Sequence, residues 1–360
     1  MPRLRYHFEP KQGWSNDPNG LVYFRGKYHA FFQHNPYDTS WGKMHWGHAV
    51  SDDLIHWEEL PIALTPDMPY EDKGGCFSGS AVVKDGRLYL FYTAVSHAME
   101  QTQCLAYSDD GVTFTKYEGN PIIGHFPPEG SLDFRDPKVT QIGDTYYMVV
   151  GTGKDNVGKV VYYTSKDLFH WDYQGVLFED SDNCRVIECP DFFELDGKFV
   201  LIYSIRLNPA PCVGAAVGTF DGKTFQPERV YRPERGPHFY APQSFTGPDG
   251  KRIQLGWMHY FGERPAPQGY VGAFSVPREL YVKGDRLYSY PIAAVQPYLT
   301  ASDPLVGVTE AGITLHAEPI GLLKSDTKTV NDVKILRDTK TIEVFINGGE
   351  ESFTYWFDNN

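Results

Sequence analysis

The chain has too few cations, too thinly spread, to make a basic face: 33 Lys and Arg stand against 46 Asp and Glu, a formal net charge of −13. A nucleic-acid backbone or an anionic membrane surface is bound by concentrated positive charge. No nucleic acid and no membrane is therefore expected as a partner, and the substrate should be small or neutral. The sequence also lacks the roughly 18 consecutive uncharged apolar residues of a membrane helix. Its first residues, MPRLRYHFEP, contain no apolar stretch of the secretory-leader type. A soluble, cytoplasmic protein is the expectation, although a leader removed beforehand would leave the same picture. Oligomeric state is not legible.

Cysteine is scarce. Cys76, Cys104, Cys184, Cys189 and Cys212 are scattered, odd in number and without a CxxC pair, which argues against a disulfide framework or a zinc knuckle. They read as reduced and mostly buried. Helical periodicity is nearly absent before residue 290, which removes the helical fold classes.

Aromatic residues are abundant, at 15% with 24 Tyr and 23 Phe. They suit strands, where flat side chains pack on a pleated surface, and they also suit stacking against sugars; sheet core should account for most of them. Five times a Gly-containing turn introduces an apolar, aromatic run: RGKYHAFFQ at 25, DGRLYLFYTA at 85, GDTYYMVVGTG at 143, DGKFVLIYSI at 196 and DGKRIQLGWM at 249. A second marker keeps step with it: SDDLIHW at 51, SDDGVTF at 108, SKDLFHW at 165 and FDGKTF at 220. Repeats of roughly 53 to 60 residues, each with about four short strand-like segments, suggest propeller blades. An all-β, five-bladed β-propeller over residues 1–292 is expected. Residues 293–360 lose the period. PIAAVQPYL could be helical, and TIEVFINGGEESFTYWF reads as a hairpin turning at Asn347-Gly348-Gly349, so this tail should be a small, shortened β-sandwich-like module.

Seven to ten residues before each turn glycine lie WSNDPNG around Asp17, FSGS around Ser78, FRDPK around Asp136, ECPD around Glu188 and FYAPQSF around Tyr240. Equal phase in a propeller means equivalent strands, so these segments should be the innermost strands and should converge at one end of the axis. Three of them bring a carboxylate, and carboxylates crowded into a pocket are costly unless they bind something or shift their proton affinity. Asp-Pro and Asn-Asp-Pro-Asn are also ordinary turn formers, a reading that three carboxylates in phase weaken. Paired carboxylates suit glycoside hydrolysis, in which one stabilises or attacks the developing cation while the other, held protonated by a raised pKa, donates to the leaving oxygen.

WSNDPNG, FRDPK and ECPD, in that order and supported by FFQHNP, FSGS, FYAPQSF, LGWM and VPREL, resemble glycoside hydrolase family 32, the invertases, sucrose-6-phosphate hydrolases and fructanases, from about residue 6 to 292. That resemblance implies a five-bladed propeller followed by a sandwich and a retaining β-fructofuranosidase acting on sucrose, sucrose-6-phosphate or short fructooligosaccharides. It implies Asp17 as nucleophile, Glu188 as acid/base and Asp136 as the residue binding fructose hydroxyls. It also implies Asn16, Gln33, Trp41, Phe77, Ser78, Arg135 and Tyr240 as the holders of the terminal fructosyl unit, with no cofactor and no metal. Cys189 and Asp191 flank the acid/base, and Asp191 could orient its surroundings.

Arg135 has a reading of its own: beside Asp136 it could keep that carboxylate ionised and donate to a sugar hydroxyl, or it could form an ordinary ion pair. His45 and His48 in HWGH lack a nearby third ligand, so metal binding is not expected there. Ser15, His238 and His259-Tyr260 depart from the family pattern and bear on the leaving group. The tail is short for a family sandwich, as though strands had been deleted. Three rivals remain: a fructosyltransferase on the same pocket, an inverting five-bladed glycosidase, and a propeller that binds fructosides without cleaving them.

Overall fold

The computed structural model describes residues 2–316, 320–324 and 329–357, apart from residues 183, 207–211, 259–265 and 267. In it, each turn of the first marker joins the first strand of a sheet to its second. Arg25 and Gly26 have φ of 49° and 83°, Asp85 and Gly86 of 52° and 76°, and Asp196 and Gly197 of 51° and 75°. Two successive positive φ values give a tight hairpin whose twist matches that of the strands, and they favour Gly second.

The first sheet runs β1 (Gly13–Phe24), β2 (Lys27–Asn35), β3 (His45–Ser51) and β4 (Trp57–Leu64). The second is β5 (Gly75–Lys84), β6 (Arg87–Ser96), β7 (Glu100–Ser108) and β8 (Thr115–Lys116). The third is β9 (Phe134–Ile142), β10 (Thr145–Lys154), β11 (Val157–Ser165) and β12 (Asp172–Asp180). The fourth is β13 (Ile187–Leu195), β14 (Lys198–Ile205), β15 (Cys212–Phe220) and β16 (Phe225–Tyr231). The fifth is β17 (Tyr240–Thr246), β18 (Arg252–Trp257), β20 (Arg278–Lys283) and β21 (Arg286–Pro291), while the short β19 (Tyr270–Val271) leaves it to pair in parallel with β1.

The second marker is the turn between third and fourth strands. Ser51 Oγ accepts from the Leu54 amide, Asp53 Oδ1 from the amides of Ile55 and His56, and Trp57 Nε1 donates to the Leu54 carbonyl. Ser165, Asp167 and Trp171 repeat this arrangement, Ser108 and Asp110 most of it. A short polar side chain that bonds amides two and three residues on fixes the turn locally.

Five first strands form a ring: β1 packs on β5 and β17, β9 on β5 and β13, and β13 on β17. Between neighbouring blades lie five apolar clusters. Phe31 and Trp46 meet Leu88 and Tyr92; Phe91 and Leu105 meet Met148 and Val161; Val149 and Val160 meet Leu201 and Phe192; Phe193 and Val200 meet Leu280 and Leu287; Leu255 and Phe245 meet Ala30 and Phe32. Each fully buried aliphatic or aromatic side chain here contributes roughly 1.5–3 kcal/mol. Edges facing one another across such cores are protected from outside pairing. Cys76, Cys104, Cys184 and Cys189 are buried and Cys212 is half-buried, all with free thiols, as expected.

Six further strands form two three-stranded sheets, β22 (Val306–Thr309), β23 (Gly312–Leu315) and β24 (Ile320–Lys324), and β25 (Val333–Arg337), β26 (Thr341–Ile346) and β27 (Glu351–Trp356). Ile313 and Leu315 of one share a core with Ile335, Val344 and Phe353 of the other. The hairpin turns at Asn347, Gly348 and Gly349, all at positive φ. PIAAVQPYL holds only a single 3-10 turn, Gln296–Tyr298.

A buried ionic network that the sequence did not announce ties this module to the propeller. Arg278 of the fifth blade bonds Glu234 at 2.9 Å and also Glu343 of β26, and Glu234 accepts from the Thr354 amide at 2.7 Å. His7 reaches Asp338 at 2.9 Å and Glu343 at 2.8 Å.

Candidate active site

Every first strand is irregular at its candidate residue. Two residues sit opposite one, or three opposite two, at Asn16-Asp17, Ser78, Asp136-Pro137, Cys189-Pro190 and Ala241-Pro242. Such bulges re-aim a side chain and end regular pairing, and proline, lacking an N–H, is tolerated there. Asp136, Cys189 and Ala241 take φ of 65°, 47° and 48°, uncommon for residues with a side chain. The turn-forming and functional readings of Asp-Pro are thus one device: proline marks the bulge that points its neighbour into the axis.

The ten candidates, Asn16, Asp17, Gln33, Trp41, Phe77, Ser78, Arg135, Asp136, Glu188 and Tyr240, all line one axial cavity of about 500 Å³. Asp17 is held at both oxygens, by Ser78 Oγ at 2.7 Å and Asn16 Nδ2 at 2.9 Å, while Trp14 Nε1 fixes the Asn16 amide at 2.8 Å. Asp136 accepts from the Cys189 amide at 2.8 Å, and the Cys189 thiol lies 3.5 Å from Asp136 and 3.6 Å from Asp17. Glu188 receives Arg135 Nη2 at 2.8 Å and Nε at 3.1 Å on one oxygen and the Tyr240 hydroxyl at 2.5 Å on the other.

Burial dominates the proton affinities. It raises Asp17 against the opposing bonds from Ser78 and Asn16, and it lifts Asp136 to about 7 against the Arg135 charge, assisted by the charges of Glu188 and Asp17. Glu188 also suffers burial, but the Arg135 charge and the Tyr240 hydroxyl outweigh it and bring its pKa below the ordinary value. Two expectations are corrected. The Arg135 charge favours the ionised form of Asp136, but burial outweighs it, and the hydrogen bonds of Arg135 go to Glu188, Asp133 and Gln101. The raised carboxyls are Asp17 and Asp136, and Glu188 is a stabilised carboxylate.

Among the described residues, Gln101, Asp133, Arg206 and Trp257 also line the cavity. Asp133 stands three residues before Asp136 and Trp257 lies in the LGWM segment, so both were within reach of the motifs. Gln101 and Arg206 carry no such signal. Arg206 ends its blade segment with a 67% exposed side chain, 4.0 Å from Glu188.

The departures from the family pattern lie elsewhere. Ser15 is buried with its hydroxyl toward the Val271 carbonyl, His238 Nδ1 accepts from the Trp356 amide, and neither lines the cavity. His259 and Tyr260 lie outside the described residues. His45 bonds the Lys43 carbonyl, whereas His48 faces His29 at 3.0 Å and stacks on Phe31. Burial lowers His48 to about 3, so it is a neutral core histidine. Asp191 points away from the cavity and accepts from Ser244 and Arg252.

A five-bladed propeller whose inner strands gather three carboxyls in an axial cavity has the architecture of a glycoside-processing domain. Residues 7–291 match the family described as the glycosyl hydrolases family 32 N-terminal domain. The chain belongs to glycosyl hydrolase family 32. It is similar to a sucrose-6-phosphate hydrolase of Escherichia coli, 42% identical over 80% of this chain and 64% of that protein. A raffinose invertase of Escherichia coli is 38% identical over 88% of this chain and 70% of that one. A levanase of Bacillus subtilis is 40% identical, and the chain covers 47% of its length. Among solved structures, the Bombyx mori GH32 beta-fructofuranosidase superposes with a TM-score of 0.84 at 32% identity, covering 99% of this chain and 89% of that one.

Proposed function

We propose that this chain is a retaining β-fructofuranosidase that hydrolyses terminal fructosyl bonds of sucrose, sucrose-6-phosphate or short fructooligosaccharides. The observation that carries the reading is the pair Asp17 and Glu188 facing one cavity, Asp17 held at both oxygens by Ser78 and Asn16 and Glu188 by Arg135 and Tyr240. Its relatives act, by their names, on sucrose-6-phosphate, raffinose and levan.

Asp17, fixed at both oxygens, attacks the anomeric carbon of the fructosyl unit. Glu188 protonates the departing glycosidic oxygen and then, as carboxylate, takes a proton from the water that releases fructose. Asp136 accepts from fructose hydroxyls, and Trp41 and Phe77, in edge contact at 6.0 Å, provide the apolar wall. Substrate binding must raise the proton affinity of Glu188, and a sugar that takes over the hydrogen bonds of Arg135 and Tyr240 would do so. The proposal assigns residues 1–292 to catalysis and 293–360 to a small β-module, since the five sheets end at Pro291 and β22–β27 share their own core.

The test is to incubate the protein with sucrose, sucrose-6-phosphate, inulin-type oligosaccharides and levan beside an Asp17→Asn control, measuring fructose. Release abolished in the control supports the proposal. No release from any substrate by a folded protein would overturn it and leave a fructoside-binding propeller.

A further inference from the structure

The inner strands are parallel to one another around the axis, so the ring has two ends. The candidate catalytic residues occupy the first halves of β1, β5, β9, β13 and β17. Their second halves line another cavity of about 440 Å³, with walls that include Leu21, Val82, Val139, Phe193 and Phe245. Two cations stand in this wall of mixed polar and apolar side chains. Lys138 of β9 is 6% exposed and Arg252 of β18 is 9% exposed.

Their protein partners leave positive charge over. Lys138 Nζ donates to the Ser244 carbonyl at 2.6 Å and is 3.5 Å from Asp191; Arg252 donates to Ser244 Oγ at 2.8 Å, to the Ser244 carbonyl at 3.3 Å, to Thr246 Oγ1 at 3.5 Å and to Asp191 at 3.2 Å, and its guanidinium lies 3.9 Å over the Phe193 ring. Asp191 is therefore shared by both cations, and one of its oxygens already accepts the Ser244 amide and hydroxyl at 2.6 Å each. It is fully buried and does not line the cavity, whereas both cations do. Glu194, the carboxylate among the described residues that does line this wall, is exposed. Two buried cations facing a cavity with one carboxylate behind them form an under-compensated site. In keeping with that, burial lowers Lys138 to about 8 and lowers Arg252 as well, despite Asp191.

We infer that this axial cavity, at the end opposite the catalytic one, binds a small inorganic anion, a halide or an oxyanion, through Lys138 and Arg252. The anion supplies the missing charge and joins β9 to β18 across the axis. Its effect is on the stability of the ring, since ligands that bind only the folded state raise its melting temperature.

The experiment uses the whole protein at constant ionic strength, with a bulky organic sulfonate as balancing anion, and titrates bromide and, separately, phosphate. A saturable rise in melting temperature of about 2 °C or more is expected with one of them, which identifies halide or oxyanion; Lys138→Met should remove it. Because that variant could fail to fold, crystals of the unaltered protein are also soaked in bromide and in phosphate. Anomalous or phosphate density between Lys138 Nζ and the Arg252 guanidinium supports the inference. A cavity empty in both soaks overturns it, whatever the melting curves show.

Discussion

Arg135 bonds a single oxygen of Glu188 twice, through Nη2 at 2.8 Å and Nε at 3.1 Å, and leaves the other oxygen to Tyr240 at 2.5 Å. A carboxylate held this way resists protonation, yet a general acid must carry a proton. The hydroxyl of Tyr240 is the partner that can be removed with the least change in shape. In the proposed role the protonated form of Glu188 is the active one, so a lowered pKa makes activity fall at lower pH. Tyr240→Phe should therefore raise the pKa of Glu188 and move the basic limb of the kcat/KM profile up by about 1 pH unit, the worth of a hydrogen bond to a charged group. A pH–rate profile measures it, and an unmoved basic limb removes Tyr240 from this role.

Glu188→Ala should leave the melting curve close to that of the parent and reduce kcat by about 10² to 10⁴, the usual worth of general acid help. Steady-state kinetics on sucrose decide; near-normal turnover would reassign the acid.

The blades and the site were legible for different reasons. Turn chemistry is local: Asp85-Gly86 or Ser165-Lys166-Asp167 carries its geometry in two or three residues, and repetition fixed the blade count. Asp17, Asp136 and Glu188 were found because their shared phase in the repeat became a shared place on the axis. What stayed hidden depends on contacts between distant segments. No motif places Arg206 beside Glu188 or joins His7 to Glu343. Of the two readings of Arg135, the ion pair is formed with Glu188, a residue 53 positions away that no local pattern links to it.

Asp136 offers a trade between stability and function. An unfolded Asp titrates near 4 and this one at about 7, so between those values the unfolded state releases its proton first and the fold loses stability as pH rises. Above pH 7 the penalty is complete. Asp136→Asn carries no such charge. It should stabilise the protein by about 1–4 kcal/mol at pH 8 and by little below pH 4, while abolishing fructose release. Urea unfolding at the two pH values gives the comparison, and equal gains at both would contradict the buried-carboxyl account.

Arg206 is the more exposed of the two arginines lining the cavity, next to the carboxylate assigned to the leaving oxygen. A guanidinium there suits an anionic leaving group. Arg206→Gln should lower kcat/KM for sucrose-6-phosphate about tenfold more than for sucrose, a difference of about 1.4 kcal/mol. Competition assays with both sugars read the ratio directly; an unchanged ratio places the phosphate elsewhere.

His7 couples the first segment of the chain to the last sheet. Although burial opposes its charge, the bonds and charges of Asp338 and Glu343 raise its pKa to about 9. A histidine raised above its ordinary value near 6.5 stabilises the fold fully below that value, and the contribution disappears as pH climbs through 9. Glu343 is the counterpart, lowered to about 2 against burial, first by the Arg278 charge and then by His7, so its share is present above the ordinary carboxylate range and lost in strong acid. His7→Gln should thus cost about 2–4 kcal/mol at pH 6, with a smaller gap from the parent at pH 10, where the parent histidine is itself neutral. Paired urea titrations at the two pH values measure that gap, and a gap independent of pH would mean that packing rather than charge holds the two parts together.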